Sequence, residues 1–547
     1  MINAIKTIQS GRLITLIYRN RQEMGKAAGT AAGEKLRELL ALKDEVNVIF
    51  AAAPSQNEML EVLVSFPGID WTRVNGFHMD EYTGLPSDAP QGFGNFLRER
   101  VFEKLPFKNV YYLNGNAADL SAECARYEKL LEEHPVDLVC MGIGENGHIA
   151  FNDPWVADFS DPVKVKTVPL DPVCRQQQVN DGCFGSLDEV PKEALTLTIP
   201  ALTAAPYLIC TVPAATKAEA VLHTVRGPVT PDCPASILQN HPSAQMFCDA
   251  ESGRDILFRK GVISDEISQD FEEAAKLAAE YGCEALEIRG VWGKQPQELT
   301  NEDIGKINEI AAKYRLSICS ISSPIFKCSI DSREELEEHF QIAKKCIDLA
   351  LKTGAKYIRA FTFWRKNGVE QDGPFILAQI GRLAAMAKEK GLTVLVEPDP
   401  SVSACNAGEL SYLFRQMNFP NVKVLWDPGN HIFNKTFIPP CPGGYEQVKR
   451  YTAHVHLKDA VRGENGEAEG CALGDGLLPL NEQLSALLRD GYDGFIVLET
   501  HYRLQLKLSD EELKRPGSAA FSDGGYEASE LCLERLNAAV MAVAAGA

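Results

Sequence analysis

From about residue 258 the chain alternates between short apolar, β-branched runs and stretches with the spacing of amphipathic helices. The runs cover 261–267, 285–291, 317–323, 357–363, 393–399, 422–428, 454–460 and 494–500. Between them, segments such as 271–280 and 336–345 repeat apolar residues every three or four positions, the period of a helix with one buried face. A last helix is predicted from 526 to about 544. Eight strand–helix units across residues 258–547 is the arithmetic of a (β/α)8 TIM barrel. An open doubly wound sheet shows the same alternation, so the placement of charged residues has to separate the two.

Strands five to eight each end in a potential metal ligand: Glu397, Asp427, His456 and Glu499. The gaps are 427 − 397 = 30, 456 − 427 = 29 and 499 − 456 = 43, about one strand–helix unit each with one longer insertion. In a barrel the strand C-termini open onto one mouth, so the four groups meet there. Three carboxylates and an imidazole suit one divalent ion, Mn²⁺, Mg²⁺, Co²⁺ or Zn²⁺. Any one of these residues alone is more often structural; four in series point to a metal site.

This pattern resembles the xylose-isomerase-like sugar phosphate isomerase/epimerase superfamily. The resemblance implies that Glu397 and Glu499 both hold metal and flank the substrate as acid and base. Strand alternation is expected to turn His454 and Lys458 elsewhere. Some epimerases place a substrate-binding histidine three residues after the aspartate; this chain has Asn430, followed by His431. Arg289, Arg359 and Trp364 fall near strand ends, where they contact a sugar or its phosphate or pack the rim. Endonuclease IV-like enzymes share the barrel but need a basic DNA-binding face and more histidines.

In the first half the apolar run 136–141 leads into Gly142, Gly144 and Gly147, then His148, with Asn146 and Asp153 close by in sequence. The three glycines spell GxGxxG. A dinucleotide fingerprint, however, opens a helix after the first strand of a βαβ unit, whereas Asn152-Asp153-Pro154 breaks any helix here. The stretch 136–154 resembles the active-site loop of the glucosamine-6-phosphate deaminase/isomerase family, and 77–86, around Asp80, resembles that family's second motif. The resemblance implies a doubly wound, Rossmann-like α/β fold. It also implies that Asp80 moves a proton between C1 and C2 of an opened amino sugar, that His148 assists ring opening and that Asp153 and Asn146 orient it. Lys217 occupies the place of a substrate-phosphate lysine, and Ser55 and Gly144 are further substrate contacts. Two departures stand out: Ala51-Ala-Ala-Pro-Ser-Gln-Asn57 replaces a Gly/Thr-rich phosphate loop, and Asn146 stands where the best-known members have Asp. The stretch 163–167 resembles an allosteric region of some bacterial members, but Arg175-Gln-Gln-Gln178 gives no clean match for its arginine. The sister 6-phosphogluconolactonases usually carry Thr-Ala-Ser where this chain has Ile149-Ala150-Phe151.

The 547 residues are too many for one core, and two domains are expected, 1–250 and 258–547, joined by a polar turn-prone link at 250–255. Fifteen cysteines without CxxC pairs point to reduced thiols and a cytoplasmic protein. The net charge of −20 divides evenly: residues 1–250 carry 21 Lys+Arg and 31 Asp+Glu, the remainder 34 and 44. That acidity excludes nucleic-acid binding by counterion release. No secretory signal peptide is expected, since residues 1–10 lack a basic start followed by a long apolar run, and no apolar run reaches bilayer length. The expectation is a bifunctional enzyme of phosphorylated sugars, a homo-oligomer. One divalent metal sits in the barrel, and the first domain has no cofactor. The alternatives for residues 1–250 are a non-catalytic sugar-phosphate sensor and a 6-phosphogluconolactonase-like hydrolase.

Overall fold

The computed structural model describes residues 2–546 except 181, 435–436, 464–465 and 504–521. The chain divides into two units, Met1–Leu257 with Ala544–Ala547, and Phe258–Val543. The turn-prone stretch after 250 closes in a short helix, Arg254–Leu257, inside the first unit.

The first unit is built on eight strands: β1 (Lys6–Ser10), β2 (Leu13–Tyr18), β3 (Val46–Phe50), β4 (Val74–His78), β6 (Asn109–Tyr111), β7 (Leu138–Met141), β10 (Tyr207–Val212) and β11 (Ala244–Asp249). Their order is β1-β2-β11-β10-β7-β3-β4-β6, parallel except for the β1–β2 hairpin. β3, β4 and β7 are buried at every position, the signature of parallel strands covered on both faces. β3, β4 and β6 step one way across the sheet and β7, β10 and β11 the other. The order therefore reverses between β3 and β7, and the loops leaving their carboxyl ends part to form a crevice. A smaller antiparallel sheet of β5 (Asp80–Tyr82), β9 (Glu193–Leu197) and β8 (Val165–Pro169) carries Asp80.

Helix Arg21–Leu42 begins at Asn20, whose side chain accepts the N–H of Glu23. Its Gly25, Gly29 and Gly33 form a stripe pressed on the segment after Ser55. A Cβ on Gly29 would lie 2.6 Å from the Met59 carbonyl oxygen, and one on Gly33 2.4 Å from the Phe66 ring. Only glycine permits that approach.

The second unit is a closed parallel barrel: β12 (Arg259–Ile263), β13 (Ala285–Ile288), β14 (Ser317–Ile325), β15 (Tyr357–Ala360), β16 (Thr393–Val396), β17 (Val422–Trp426), β18 (Thr452–Leu457) and β21 (Phe495–Leu498), with β21 pairing back to β12. A side hairpin, β19 (Asp459–Arg462) and β20 (Ala468–Cys471), follows β18. The last helix is Gly525–Ala545. Most predicted strands overrun at their C-terminal ends. The run at 261–267 turns into the helix Ser264–Ile267, and 357–363 leaves the sheet at Ala360. As a result Glu397, Asp427 and Glu499 each sit one residue beyond a strand, and His456 lies within β18.

Candidate active sites at the sheet crevice and the barrel mouth

At the sheet crevice, Gly147 takes φ +81°, a turn that glycine makes without strain. A Cβ on Gly144 would lie 2.1 Å from the His148 ring, so the bare backbone there cradles the imidazole. His148 Nδ1 lies 2.8 Å from Asn146 Oδ1 and 3.1 Å from Asp153 Oδ1, and Asn146 Nδ2 donates to Asp153 Oδ1 at 3.0 Å. Two oxygens facing Nδ1 fix the proton there and leave Nε2 as the acceptor. Burial opposes ionisation of Asp153, but the hydrogen bond and charge of His148 and the Asn146 amide outweigh it and hold the carboxyl below its usual range.

Asp80 is only 7% exposed, and burial, then the charge of Glu81, push its pKa well above the usual carboxylate range. Glu81 is raised by burial as well, but it accepts N–H groups from Tyr82, Phe93 and Gly94 at 2.8–3.0 Å and so anchors a loop. The adjacent carboxylates thus divide into a poised base and a structural clamp. The Cys174 thiol is raised by burial and then by the charges of Asp153, Asp80 and Asp171, with Lys217 acting against them, and it lies with His148 and Asp153 in one buried cluster. Lys217 is buried at the foot of helix Ala218–Arg226, three residues after Ala214, which holds φ +83° while its N–H donates to Asp249. Strain at a non-glycine residue persists where neighbours fix it, commonly at ligand sites. In the loop after β3, Ser55 Oγ accepts a bond from Gln56 Nε2 at 3.1 Å, ahead of helix Asn57–Val64. The predicted groups from the first half therefore all lie beyond carboxyl ends of strands around the crevice. Sequence reasoning missed Cys174 and Gln177, whose Oε1 accepts the Glu145 N–H at 3.0 Å; neither carries a motif.

At the barrel mouth, Glu397, Asp427, His456 and Glu499 each offer a ligand atom, all within 4.8 Å of one another and all buried. His456 Nδ1 has no hydrogen-bond partner among the described residues and stands 3.5 Å from Glu499 Oε2 and 3.8 Å from Glu397 Oε1. A buried ring nitrogen aimed at converging carboxylates is the donor set of a hard or borderline divalent cation, and the residues fit one. Burial, and then Glu499 and Glu397 against the opposing Lys458, push Asp427 up to about 7. Burial opposes the charge on Glu499, but Lys458 and His501 hold it well below its usual range.

Lys458 corrects the expectation that it points away. Its Nζ donates to Asp427 Oδ2 at 2.5 Å and to Glu499 Oε2 at 2.6 Å. Positions 454, 456 and 458 share parity, so alternation puts all three on one face. His454 also faces inward, with Nε2 2.7 Å from Glu287 Oε2. Arg359 donates to Glu397 at 3.0 Å, and Arg289 links Glu499 at 3.1 Å to Asp265 and Glu266. Asn430 reaches the mouth, donating to Glu397 at 3.1 Å. His431 instead accepts the Ala407 N–H, and burial lowers its pKa to about 4. Trp364 lies beside Lys327, whose ammonium donates to Asp399. Sequence reading overlooked Glu287, which looks like an ordinary strand residue in Ala285-Leu-Glu-Ile288.

Residues 19–247 match the family model described as glucosamine-6-phosphate isomerases/6-phosphogluconolactonase, and residues 275–521 match that described as xylose isomerase-like TIM barrel. A glucosamine-6-phosphate deaminase of Listeria monocytogenes serotype 4a is 35% identical over 227 residues, 42% of this chain and 95% of that protein. A solved monomeric glucosamine-6-phosphate deaminase shares 28% identity over 44% of this chain and 98% of its own, with a TM-score of 0.41. A xylose isomerase domain protein of Planctomyces limnophilus shares 18% over 45% and 91%, with a TM-score of 0.38. Through its first half this chain belongs to the glucosamine-6-phosphate deaminase family, and its second half is a xylose isomerase-like TIM barrel.

Proposed function

We propose that the chain is a bifunctional enzyme of phosphorylated sugars, in which the first unit releases ammonia from an amino-sugar phosphate of the glucosamine 6-phosphate kind. The observation that carries this reading is the hydrogen-bonded His148–Asn146–Asp153 triangle beyond the carboxyl end of β7, with the buried, raised carboxyl of Asp80 beyond the carboxyl end of β4 on the same side of the sheet. His148 Nε2 takes the proton of the C1 hydroxyl as the sugar ring opens and returns it to the ring oxygen. Asp80 removes the C2 proton, giving an enolamine, and returns a proton to C1, leaving a C2 imine to which water adds with loss of ammonia, giving the ketose phosphate. A raised pKa suits a carboxyl that must both accept and donate the proton. Lys217 and the loop at Ser55 hold the phosphate, with free N–H groups of the helix after Ser55 adding to it. Ammonia release from glucosamine 6-phosphate by the purified protein tests the assignment. A chain that binds the sugar phosphate without turnover is a sensor, and one that opens a 6-phosphogluconolactone is a hydrolase.

The barrel is proposed to be a sugar or sugar-phosphate isomerase or epimerase. Glu397, Asp427, His456 and Glu499 would hold a divalent ion, which when bound stabilises negative charge on neighbouring substrate oxygens. Glu397 and Glu499 lie on opposite sides of the donor set in strand order. One removes a proton beside the carbonyl and the other returns it. Arg359 and Arg289 aim these carboxylates through hydrogen bonds, and Lys458 bridges Asp427 and Glu499. Proton exchange with deuterated water at the sugar carbon, followed by NMR, tests this half.

A further inference from the structure

Below the four mouth donors, on the barrel floor, lies a second buried cluster that the proposed chemistry does not use. Glu287 on β13 is fully buried, and its carboxylate accepts from three sides. Ser322 Oγ on β14 donates to Oε1, His454 Nε2 on β18 lies 2.7 Å from Oε2, and His456 Nε2 lies 3.2 Å from both oxygens. A carboxylate so placed is an acceptor only, so the proton of each ring nitrogen facing it sits on that nitrogen. For His456 this keeps a hydrogen on Nε2, so Nδ1, which faces Glu397 and Glu499 without a hydrogen bond, is the nitrogen whose electron pair a cation would take once its own proton has left. Ser322 and His454 in turn stop the carboxylate from rotating away. Glu287 cannot touch a substrate: it is sealed under the imidazole, and it comes from the second barrel strand while the four donors come from the fifth to the eighth.

We propose that Glu287 is a positioning residue, which fixes the tautomer and ring orientation of His456 so that Nδ1 is presented to a divalent cation. This rests on the metal-binding reading of the mouth. The rival explanation is that Glu287 is simply a buried charge neutralised by two histidines, important for folding and not for the cation.

The test uses the full chain stripped with chelator and titrated with Mn²⁺ by calorimetry, alongside the melting temperature of the metal-free protein. Loss of an outer carboxylate partner of a ligating histidine typically weakens metal affinity by about 10- to 100-fold. Glu287→Gln, which keeps the shape and removes the charge, is expected to lose Mn²⁺ affinity in that range, and its metal-free form, though it melts lower because two imidazoles lose their carboxylate, still shows one cooperative folded transition. Ser322→Ala, which only loosens the carboxylate, is expected to lose less, about threefold, on the same outer-partner logic. In pulsed EPR of the Mn²⁺ form, the nitrogen coupling from His456 should weaken in Glu287→Gln, a signature that a purely structural role does not alter. If Glu287→Gln and Ser322→Ala bind Mn²⁺ as tightly as the wild type, with His456→Ala weakened, the positioning role is overturned and the metal site stands. If the wild type takes up no Mn²⁺, or His456→Ala binds it as well as the wild type, the metal reading fails and this inference fails with it.

Discussion

The sheet crevice and the barrel mouth solve the same problem, holding ionisable groups where water is scarce, by opposite means. In the crevice, few charges are brought together on loops. Asp80 is left to desolvation and so held toward its neutral form, while Asp153 is held charged by one histidine and one amide. At the mouth, charges are dense and mutually neutralised: Lys458, Arg289 and Arg359 each lie against buried carboxylates. The contrast teaches where each site is vulnerable. A sparse site loses function when one group is changed and keeps its fold. A dense one is exposed to imbalance, because removing one partner of a buried pair strands the other.

The largest effect expected is at Asp80. Asp80→Asn should lower ammonia release by at least about 10²-fold, the usual contribution of a positioned general base. The same change should raise the melting temperature at neutral pH. The carboxyl's folded pKa lies above its unfolded value of about 3.8, so stability falls as pH rises between the two, and the amide removes that penalty. A variant with full turnover, or one that melts lower than the wild type at pH 7, breaks the sparse-site picture.

At the mouth, Glu499→Gln should stop proton exchange at the sugar carbon, again by about 10²-fold or more, while elemental analysis still finds a divalent ion. Exchange that survives in this variant moves the acid/base role elsewhere. Arg359→Ala should destabilise the barrel by about 3–5 kcal/mol, because Glu397 is left buried beside its remaining neighbours. Chemical denaturation that shows a change below about 1 kcal/mol, the range of exposed pairs, would mean the network is more hydrated than its burial implies.

A smaller effect separates the units by pH. His78 is buried with Nε2 accepting the Leu113 N–H, and burial lowers its pKa to about 4. Between about 6.5 and 4 the unfolded chain holds a proton that the folded chain does not. Stability from this group is therefore complete above about pH 6.5 and lost as pH falls toward 4, by up to about 1.4 kcal/mol per pH unit. Denaturant midpoints of the wild type and His78→Gln, measured from pH 4.5 to 7.5, should converge toward the acid end. Curves that stay parallel exclude the titration. The smallest change expected is in Ser55→Ala, a rise of a few-fold in KM for the amino-sugar phosphate with kcat nearly unchanged, as one neutral hydrogen bond of about 1 kcal/mol allows.

The crevice was legible because its parts are contiguous: one loop carries Asn146, His148 and Asp153, and one segment carries Asp80. The mouth was legible differently, through four residues spaced about one strand–helix unit apart. Strand ends were less so. Apolar residues continue past the ladder, and only the backbone shows where it breaks, as at Phe363 with φ +63°. The contacts of Lys458 follow from counting parity along β18, which strand alternation supplies when it is applied to every second residue. Glu287 carries no such signal: its role appears only when strands 167 and 169 residues apart in sequence close the floor around it.

The glycine stripe of helix Arg21–Leu42 has a consequence for precision. Helix Asn57–Val64 starts two residues after Ser55, and its distance from its neighbour is set by an absent side chain, with the Met59 carbonyl standing where a Gly29 methyl would fall. A carbonyl in a helix cannot swing aside as a side-chain tip can, so one added carbon at Gly29 would have to be absorbed by moving the whole segment. The loop at Ser55 is the segment's leading end, and the tolerance to which it is machined is set on the far side of the helix that follows it.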